Sequence, residues 1–186
     1  MKATTAGHLT VICGPMFASK TASLIRHLHR LTWHRYSIAV FKPVLDNRYH
    51  SSNIVSHDGV TLTAQPIREA SEILHLADAD VVGIDEAQFF DMGVVDVCLT
   101  LTKAGKDVFV AGLDLDFRGI PFGPMPHLLA IADKVDKVYA ACTVCGDVAT
   151  RSQRIVSSQE QVVVGGDTAY EARCIMHWNS DTAPTP

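Results

Sequence analysis

Leu9-Thr-Val-Ile-Cys13-Gly14-Pro15-Met16-Phe17-Ala18-Ser19-Lys20-Thr21 runs from an apolar pentad through a Gly-Pro break to a Lys-Thr pair. Beyond it, Leu24, Ile25, Leu28 and Leu31 recur at helical spacing as far as His34. The order is strand, glycine turn, helix. In a P-loop with that order, backbone N–H groups and the helix N-terminus wrap phosphates, the Lys neutralises their oxygens, and the Ser/Thr hydroxyl meets Mg²⁺. The P-loop pattern wants glycine where Ser19 stands, so an ordinary strand-to-helix turn competes while this stretch is taken alone.

Working outward, the next signal is Val81-Val-Gly-Ile-Asp85-Glu86, an apolar strand ending in two carboxylates. In phosphoryl-transfer proteins built on a P-loop, an Asp at a neighbouring strand end holds the Mg²⁺ shell, and an adjacent carboxylate acts on the incoming nucleophile. A solvated strand end, with Asp91 near a helix start, explains the pair in isolation. Together with Lys20 and Thr21 at matching strand ends, the phosphate-transfer reading takes over.

The remaining pattern predicts strands at 37–42, 61–64, 80–85 and 108–113, helices at 21–34, 68–76 and 92–104, and a polar loop at 44–57. Strands alternating with helices imply an α/β fold, a P-loop NTPase-like parallel sheet flanked by helices. Residues 114–126 carry too many Gly and Pro for a helix and too many apolar side chains for a solvated linker, which marks a loop with a function. After Tyr139 the character changes to cysteines and two β-rich stretches, at 154–156 and 161–164. The expected organisation is an α/β domain over 1–141, a small C-terminal β-rich zinc-binding domain over 142–178, and a disordered polar tail over 179–186.

The chain has 186 residues, 47% hydrophobic and 19% charged, with a net charge of −4. That composition supports a folded core and lacks the basic field that holds a nucleic-acid backbone. No stretch has the length and apolarity of a membrane span, and residues 1–7 lack the apolar centre of a secretory signal, so the expectation is a cytoplasmic protein with no membrane or nucleic-acid partner.

Five cysteines do not make a paired disulfide framework. Cys13 and Cys98 lie in apolar runs and read as core thiols. Cys142-Thr-Val-Cys145 and Cys174-Ile-Met-His177 form two close pairs, each able to chelate one side of a tetrahedral Zn²⁺. A closed four-ligand shell leaves no open position, so this zinc is structural; a redox role for the Cys-x-x-Cys pair is the rival. Of the other histidines, only His57 stands in a notable polar segment.

Assembled in order, these pieces resemble the thymidine kinases of the cellular and bacterial type, across about 8–178. The match is carried by residues 14–21, by Lys42-Pro with Asp46-Asn47-Arg48-Tyr, by Ser56-His-Asp-Gly, and by Asp85-Glu-Ala-Gln88-Phe-Phe. It continues through Gly112-Leu-Asp-Leu-Asp-Phe117-Arg118-Gly-Ile-Pro-Phe122-Gly and Val162-Val163-Val164-Gly165-Gly-Asp-Thr-Ala-Tyr170. The resemblance implies that residues 14–21 hold the ATP phosphates with Asp46, Asn47 and Arg48 nearby, that Asp85 and Thr21 organise Mg²⁺ with Gln88 beside them, and that Glu86 is the base. It implies that residues 114–123 form a lid, that Phe117, Phe122 and Met16 enclose the pyrimidine, and that Gln161, Val162, Val163, Val164, Gly165 and Tyr170 supply main-chain and phenol contacts. Arg118 is placed to reach the phosphates. ATP with Mg²⁺, a structural Zn²⁺, thymidine as substrate, a homotetramer or homodimer, and feedback inhibition by thymidine triphosphate are implied with it.

The chemistry agrees with this division. A loose phosphoryl transition state asks for positioning and positive charge. A primary alcohol needs a base, and a flat neutral pyrimidine suits aromatic walls with main-chain hydrogen bonds. Two alternatives remain open on the residues alone: a helicase-type ATPase with a zinc ribbon acting on nucleic acid, and a P-loop homologue with little catalysis because of Ser19.

Overall fold

The computed structural model describes residues 6–44, 53–55, 61–158, 160–163 and 165–180, with 53–55 and 61 as backbone. In chain order the elements are β1 (Leu9–Cys13), α1 (Lys20–Thr32), β2 (Ile38–Pro43), β3 (Asn53–Val55), β4 (Thr61–Thr63), β5 (Gln65–Ile67), α2 (Glu72–Leu76), β6 (Val81–Ile84), a 3₁₀ turn at Ala87–Phe89, α3 (Gly93–Lys103), β7 (Asp107–Gly112), α4 (Met125–Ile131), β8 (Lys134–Lys137), β9 (Ala140–Ala141), β10 (Val148–Ala149), β11 (Arg151–Arg154) and β12 (Tyr170–Arg173). Six strands form one sheet in the order β5-β2-β6-β7-β1-β8. Every neighbouring pair in it is parallel.

Period-2 alternation sends the two faces of each strand into different cores. Leu9, Val11 and Cys13 of β1 join Val82, Ile84, Val108 and Val110 under α3 and α4. Ile12 turns the other way and joins Val40, Val81 and Ala111 under Leu24, Ile25 and Leu28 of α1. Burying each such aliphatic side chain contributes roughly 1.5–3 kcal/mol. Gly83 matters to this second face, because a Cβ there would stand 2.8 Å from Cδ1 of Leu28 and push α1 off the sheet.

Several elements differ from the sequence expectation, among them β5, β12 and α4, which no predicted strand or helix covers, α4 beginning inside the segment read as a loop over 114–126. β3 falls inside the segment read as a loop over 44–57 and pairs antiparallel with β4. β8 was not foreseen, because Lys134-Val-Asp-Lys137 has no apolar alternation; it survives as a charged edge strand beside β1. The predicted β-rich stretch at 161–164 is irregular in its described residues, 161–163, and the strand that completes the small hairpin is β12, paired with β11. The helix predicted from 68 begins only at Glu72, whose carboxylate accepts from the backbone N–H groups of Arg68 and Glu69 at 2.8 Å each. Residues 181–186, most of the expected tail, lie outside the described residues.

Parallel strands point their carboxyl ends at one edge of the sheet, where such folds carry their sites. Here β1 delivers residues 14–21, β6 delivers Asp85 and Glu86, and β7 delivers the segment from Leu113 onward. The four short strands β9–β12 surround a small core of Cys142, Ala149, Ala172 and Cys174 at that edge, with Phe17 packed against it.

Candidate active site

The turn after β1 is held open by backbone geometry that side chains resist. Gly14 has φ +148°, and a Cβ there would stand 2.2 Å from the carbonyl oxygen of Val138. Phe17 and Ser19 adopt left-handed conformations, with φ of 65° and 56°. A non-glycine residue in that region costs about 1–3 kcal/mol and persists where the surroundings impose it. Ser19 immediately precedes α1 without a side-chain cap, so the first amides of the helix face the turn. The Lys20 ammonium donates to the carbonyl of Pro15 at 2.6 Å, across the mouth of its own loop.

Thr21 and Asp85 meet as the sequence predicts: the hydroxyl lies 3.0 Å and 3.3 Å from the two carboxylate oxygens. Asp85 is buried. Burial, and then the Glu86 carboxylate beside it, push its pKa well above the usual carboxylate range, against the opposing pull of Thr21. A hydroxyl and a buried carboxylate that favours a neighbouring cation are the donor set Mg²⁺ takes, so these residues fit that ion. Glu86 follows in a left-handed conformation with φ 52°. Its carboxylate accepts from Nε2 of Gln88 at 2.6 Å.

Across the sheet edge lies a cleft of about 560 Å³, partly open to solvent, whose walls include Met16, Phe89, Phe117, Phe122, Gln161 and Tyr170. Leu113, Leu115, Asp116, Ser152, Val162, Val163 and Gly165 complete it. Phe89 and Phe122 meet edge to face at 5.7 Å. Residues 114–123 fold over it as a tight loop organised by Asp116, which accepts from the backbone N–H groups of Arg118 and Ile120 and from the Arg118 guanidinium at 2.8 Å. Those hydrogen bonds outweigh burial and hold Asp116 below the usual carboxylate range. Arg118 is therefore turned toward Asp116 and not toward residues 14–21. Asp114, at the root of the loop, is paired with Lys137 at 2.8 Å.

The small unit reaches this cleft through Arg154, which is 1% exposed. Its guanidinium donates to the carbonyls of Ser158, Glu160 and Gln161 and, at 2.7 Å, to the Tyr170 hydroxyl. The carbonyls of Ser158, Glu160 and Gln161 thus converge on one buried cation. Val163 exchanges backbone contacts with the Tyr170 hydroxyl at 3.3 Å. A further tie runs from the Met16 N–H to the Ser152 hydroxyl at 2.9 Å.

Cys142, Cys145, Cys174 and His177 place their ligand atoms within 4.8 Å of one another. The Cys145–Cys174 sulfurs are 3.8 Å apart, and Nδ1 of His177 lies 3.8 Å and 3.3 Å from the sulfurs of Cys142 and Cys174. A tetrahedron with Zn–S bonds of ~2.3 Å has edges of about 3.8 Å, so the four residues fit a zinc ion. Burial opposes the Cys142 thiolate, yet backbone N–H groups of the knuckles, led by that of Cys174, hold its thiol down at about 6. Cys13 and Cys98 are the buried core thiols the sequence predicts, burial pushing them up to about 11 and about 12.

Asp46, Asn47, Arg48, Ser56, His57 and Val164 lie outside the described residues. Met16, Phe117 and Phe122 share the cleft with Gln161, Val162, Val163, Gly165 and Tyr170, and the four Cys/His ligand atoms are brought together. Sequence reasoning missed Phe89, Asp116, Ser152 and Arg154. A buried arginine reads in sequence as a surface cation, and nothing in Arg151-Ser-Gln-Arg154 marks the second arginine as the interior one.

A family model described as thymidine kinase matches residues 7–178. The thymidine kinase of Bacteroides fragilis (strain NCTC 9343) is 50% identical over 169 residues, covering 90% of this chain and 85% of that protein. That of Bacteroides thetaiotaomicron is 50% identical with the same coverage, and that of Rhodothermus sp. is 51% identical, covering 90% of this chain and 79% of its own. The turn after β1, the paired carboxylates, the aromatic cleft and the Cys₃His cluster all lie within the matched residues, and the chain belongs to the thymidine kinase family.

Proposed function

We propose that this protein transfers the γ-phosphate of ATP to the 5′-hydroxyl of thymidine, giving dTMP and ADP, with deoxyuridine as a second acceptor. The observation that carries this reading is the run from Asp85 to Phe89, in which Glu86 follows the carboxylate that meets Thr21 and precedes, by three residues, a ring that lines the aromatic cleft. The Thr21–Asp85 contact is 3.0 Å, and Met16, Phe117 and Phe122 line the same cleft as that ring.

In this reading the amides of residues 14–19 and the start of α1 cradle the phosphates, and Lys20 leaves the Pro15 carbonyl to meet the β/γ oxygens. Thr21 and Asp85 hold Mg²⁺, which when bound neutralises charge on the transferring phosphate. Glu86 takes the proton from the 5′-hydroxyl as it attacks, a step that contributes typically ~10²–10⁴-fold. Phe117 and Phe122 flank the pyrimidine, while main-chain groups of residues 161–165 read its imide edge, Arg154 fixing the carbonyl of Gln161. Arg118 reaches the phosphates only by leaving Asp116. Asp46, Asn47 and Arg48 are assigned beside the phosphates on the family resemblance.

The Cys₃His cluster holds a structural zinc in this account, and the kinase and zinc units meet at the nucleoside. The family reading extends to a cytoplasmic homo-oligomer, a tetramer or dimer, that serves DNA synthesis and is inhibited by thymidine triphosphate. A nucleoside panel with Mg-ATP tests the function: 5′-monophosphate should form fastest with thymidine. ATP turnover that requires DNA and ignores nucleosides would instead favour the zinc-ribbon ATPase.

A further inference from the structure

Gln88 lies between the base and the lid. It is 3% exposed, on the 3₁₀ turn just after the two carboxylates. Its Nε2 donates to Oε2 of Glu86 at 2.6 Å, and its Oε1 accepts from the backbone N–H of Leu113 at 2.9 Å. An amide with its oxygen committed to an N–H can offer only its NH₂ on the other side, so the orientation of the group is fixed by Leu113. Glu86, at φ 52°, has a backbone that no ordinary preference holds in place.

The same residue touches the far root of the lid. A Cβ at Gly123 would stand 2.4 Å from the Gln88 carbonyl oxygen, and one at Gly112 would stand 2.8 Å from Oε1. Both hinges of the loop over the cleft, one before Leu113 and one after Phe122, therefore close onto Gln88. Gly123 itself has φ +51°.

We infer that Gln88 is a positioning residue that makes the orientation of the Glu86 carboxylate depend on the seating of the lid. When the root at Leu113 is docked, the amide turns its NH₂ to Oε2 of Glu86 and holds the carboxylate toward the nucleophile. When the root lifts, the amide loses its anchor and the carboxylate loses that hold. Phosphoryl transfer to water is thereby disfavoured until the cleft is covered. This inference rests on Glu86 as the base, and it assigns Gln88 to that base instead of to the Mg²⁺ shell.

The test is a double-mutant cycle read in kcat and in both KM values. Gln88→Glu keeps the volume and the acceptor for Leu113 but loses the NH₂ donor; Gln88→Met keeps the length and loses both. Each should lower thymidine kcat by roughly 10–100-fold in the wild-type background with both KM values changed less than about threefold, and should have no further effect on kcat in Glu86→Gln. Gln88→Glu serves where Gln88→Met fails to fold. An equal kcat loss in both backgrounds, or a selective rise in ATP KM, would overturn the positioning role while leaving the base in place. Full activity of Glu86→Gln alone would instead overturn the base assignment on which it rests.

Discussion

The guanidinium carbon of Arg154 lies 3.6 Å from the centroid of the Phe117 ring, so a buried cation from β11 is stacked on the 114–123 loop. The contact is reinforced nearby: Gln161 Nε2 reaches the Asp116 carboxylate at 3.3 Å, and the Trp178 indole N–H donates to the Phe117 carbonyl at 3.2 Å. The 114–123 loop is thus fastened to Arg154, Gln161 and Trp178 beside the cleft.

Replacing Arg154 by Met should therefore act on the nucleoside and not on ATP. Three part-buried backbone carbonyls and the buried Tyr170 hydroxyl lose their donor, and a buried group left unpaired costs about 1–3 kcal/mol. Steady-state kinetics should show thymidine KM raised at least tenfold with ATP KM within about twofold. A parallel rise in both would mean that the contact only stabilises the fold.

Phe117→Ala removes the partner ring. A lost aromatic contact of roughly 1–3 kcal/mol should raise thymidine KM about 5–150-fold and leave ATP KM nearly unchanged. Combined with Arg154→Met, the effects should be less than additive, because the two side chains stack on one another. Strict additivity would show that they act on the nucleoside separately.

Metal content is the next check. Freshly purified protein should carry one Zn²⁺ per chain, and Cys174→Ser should lose it, lower the melting temperature and weaken thymidine binding. The path is short, since Cys174 directly follows β12, whose first residue, Tyr170, bonds Arg154 at 2.7 Å. Protein free of zinc when isolated, or fully active after its removal, would contradict the structural role.

Much of this was legible in the sequence because the chemistry is local there. The strand, turn and Lys20-Thr21 pair, the Asp85-Glu86 strand end and the two Cys/His pairs are each contiguous, and the parallel sheet follows from alternating strand and helix patterns. What escaped depends on tertiary context. β8 is charged and takes its place from backbone pairing to β1 and from the Lys137–Asp114 ion pair; Arg154 gains its meaning from carbonyls that arrive four to seven residues later; and Gln88 is defined by Leu113, which stands 25 positions away. The described part of 161–164 is irregular because its carbonyls turn inward to a side chain and not to a neighbouring strand.

Ser19 combines a legible departure from the P-loop pattern with a conformation only the structure supplies. At φ 56° it pays a backbone cost that glycine would not, and its side chain makes no cap hydrogen bond. Ser19→Gly should raise kcat/KM for ATP by up to about tenfold, or ~1.4 kcal/mol, with thymidine KM little altered. Loss of ATP affinity in that variant would identify the hydroxyl as a phosphate ligand.

The most direct measurement follows the γ-phosphate itself. With ATP labelled at the γ position, Mg²⁺ and thymidine, the wild type should place the label on the 5′-oxygen of dTMP, one per ADP formed. Glu86→Gln should bind both substrates yet transfer at least about a hundredfold more slowly, because the amide keeps the shape of the carboxylate and cannot take the proton. Label appearing only as inorganic phosphate, or Glu86→Gln retaining more than roughly a tenth of wild-type kcat against that expected loss, would contradict the account.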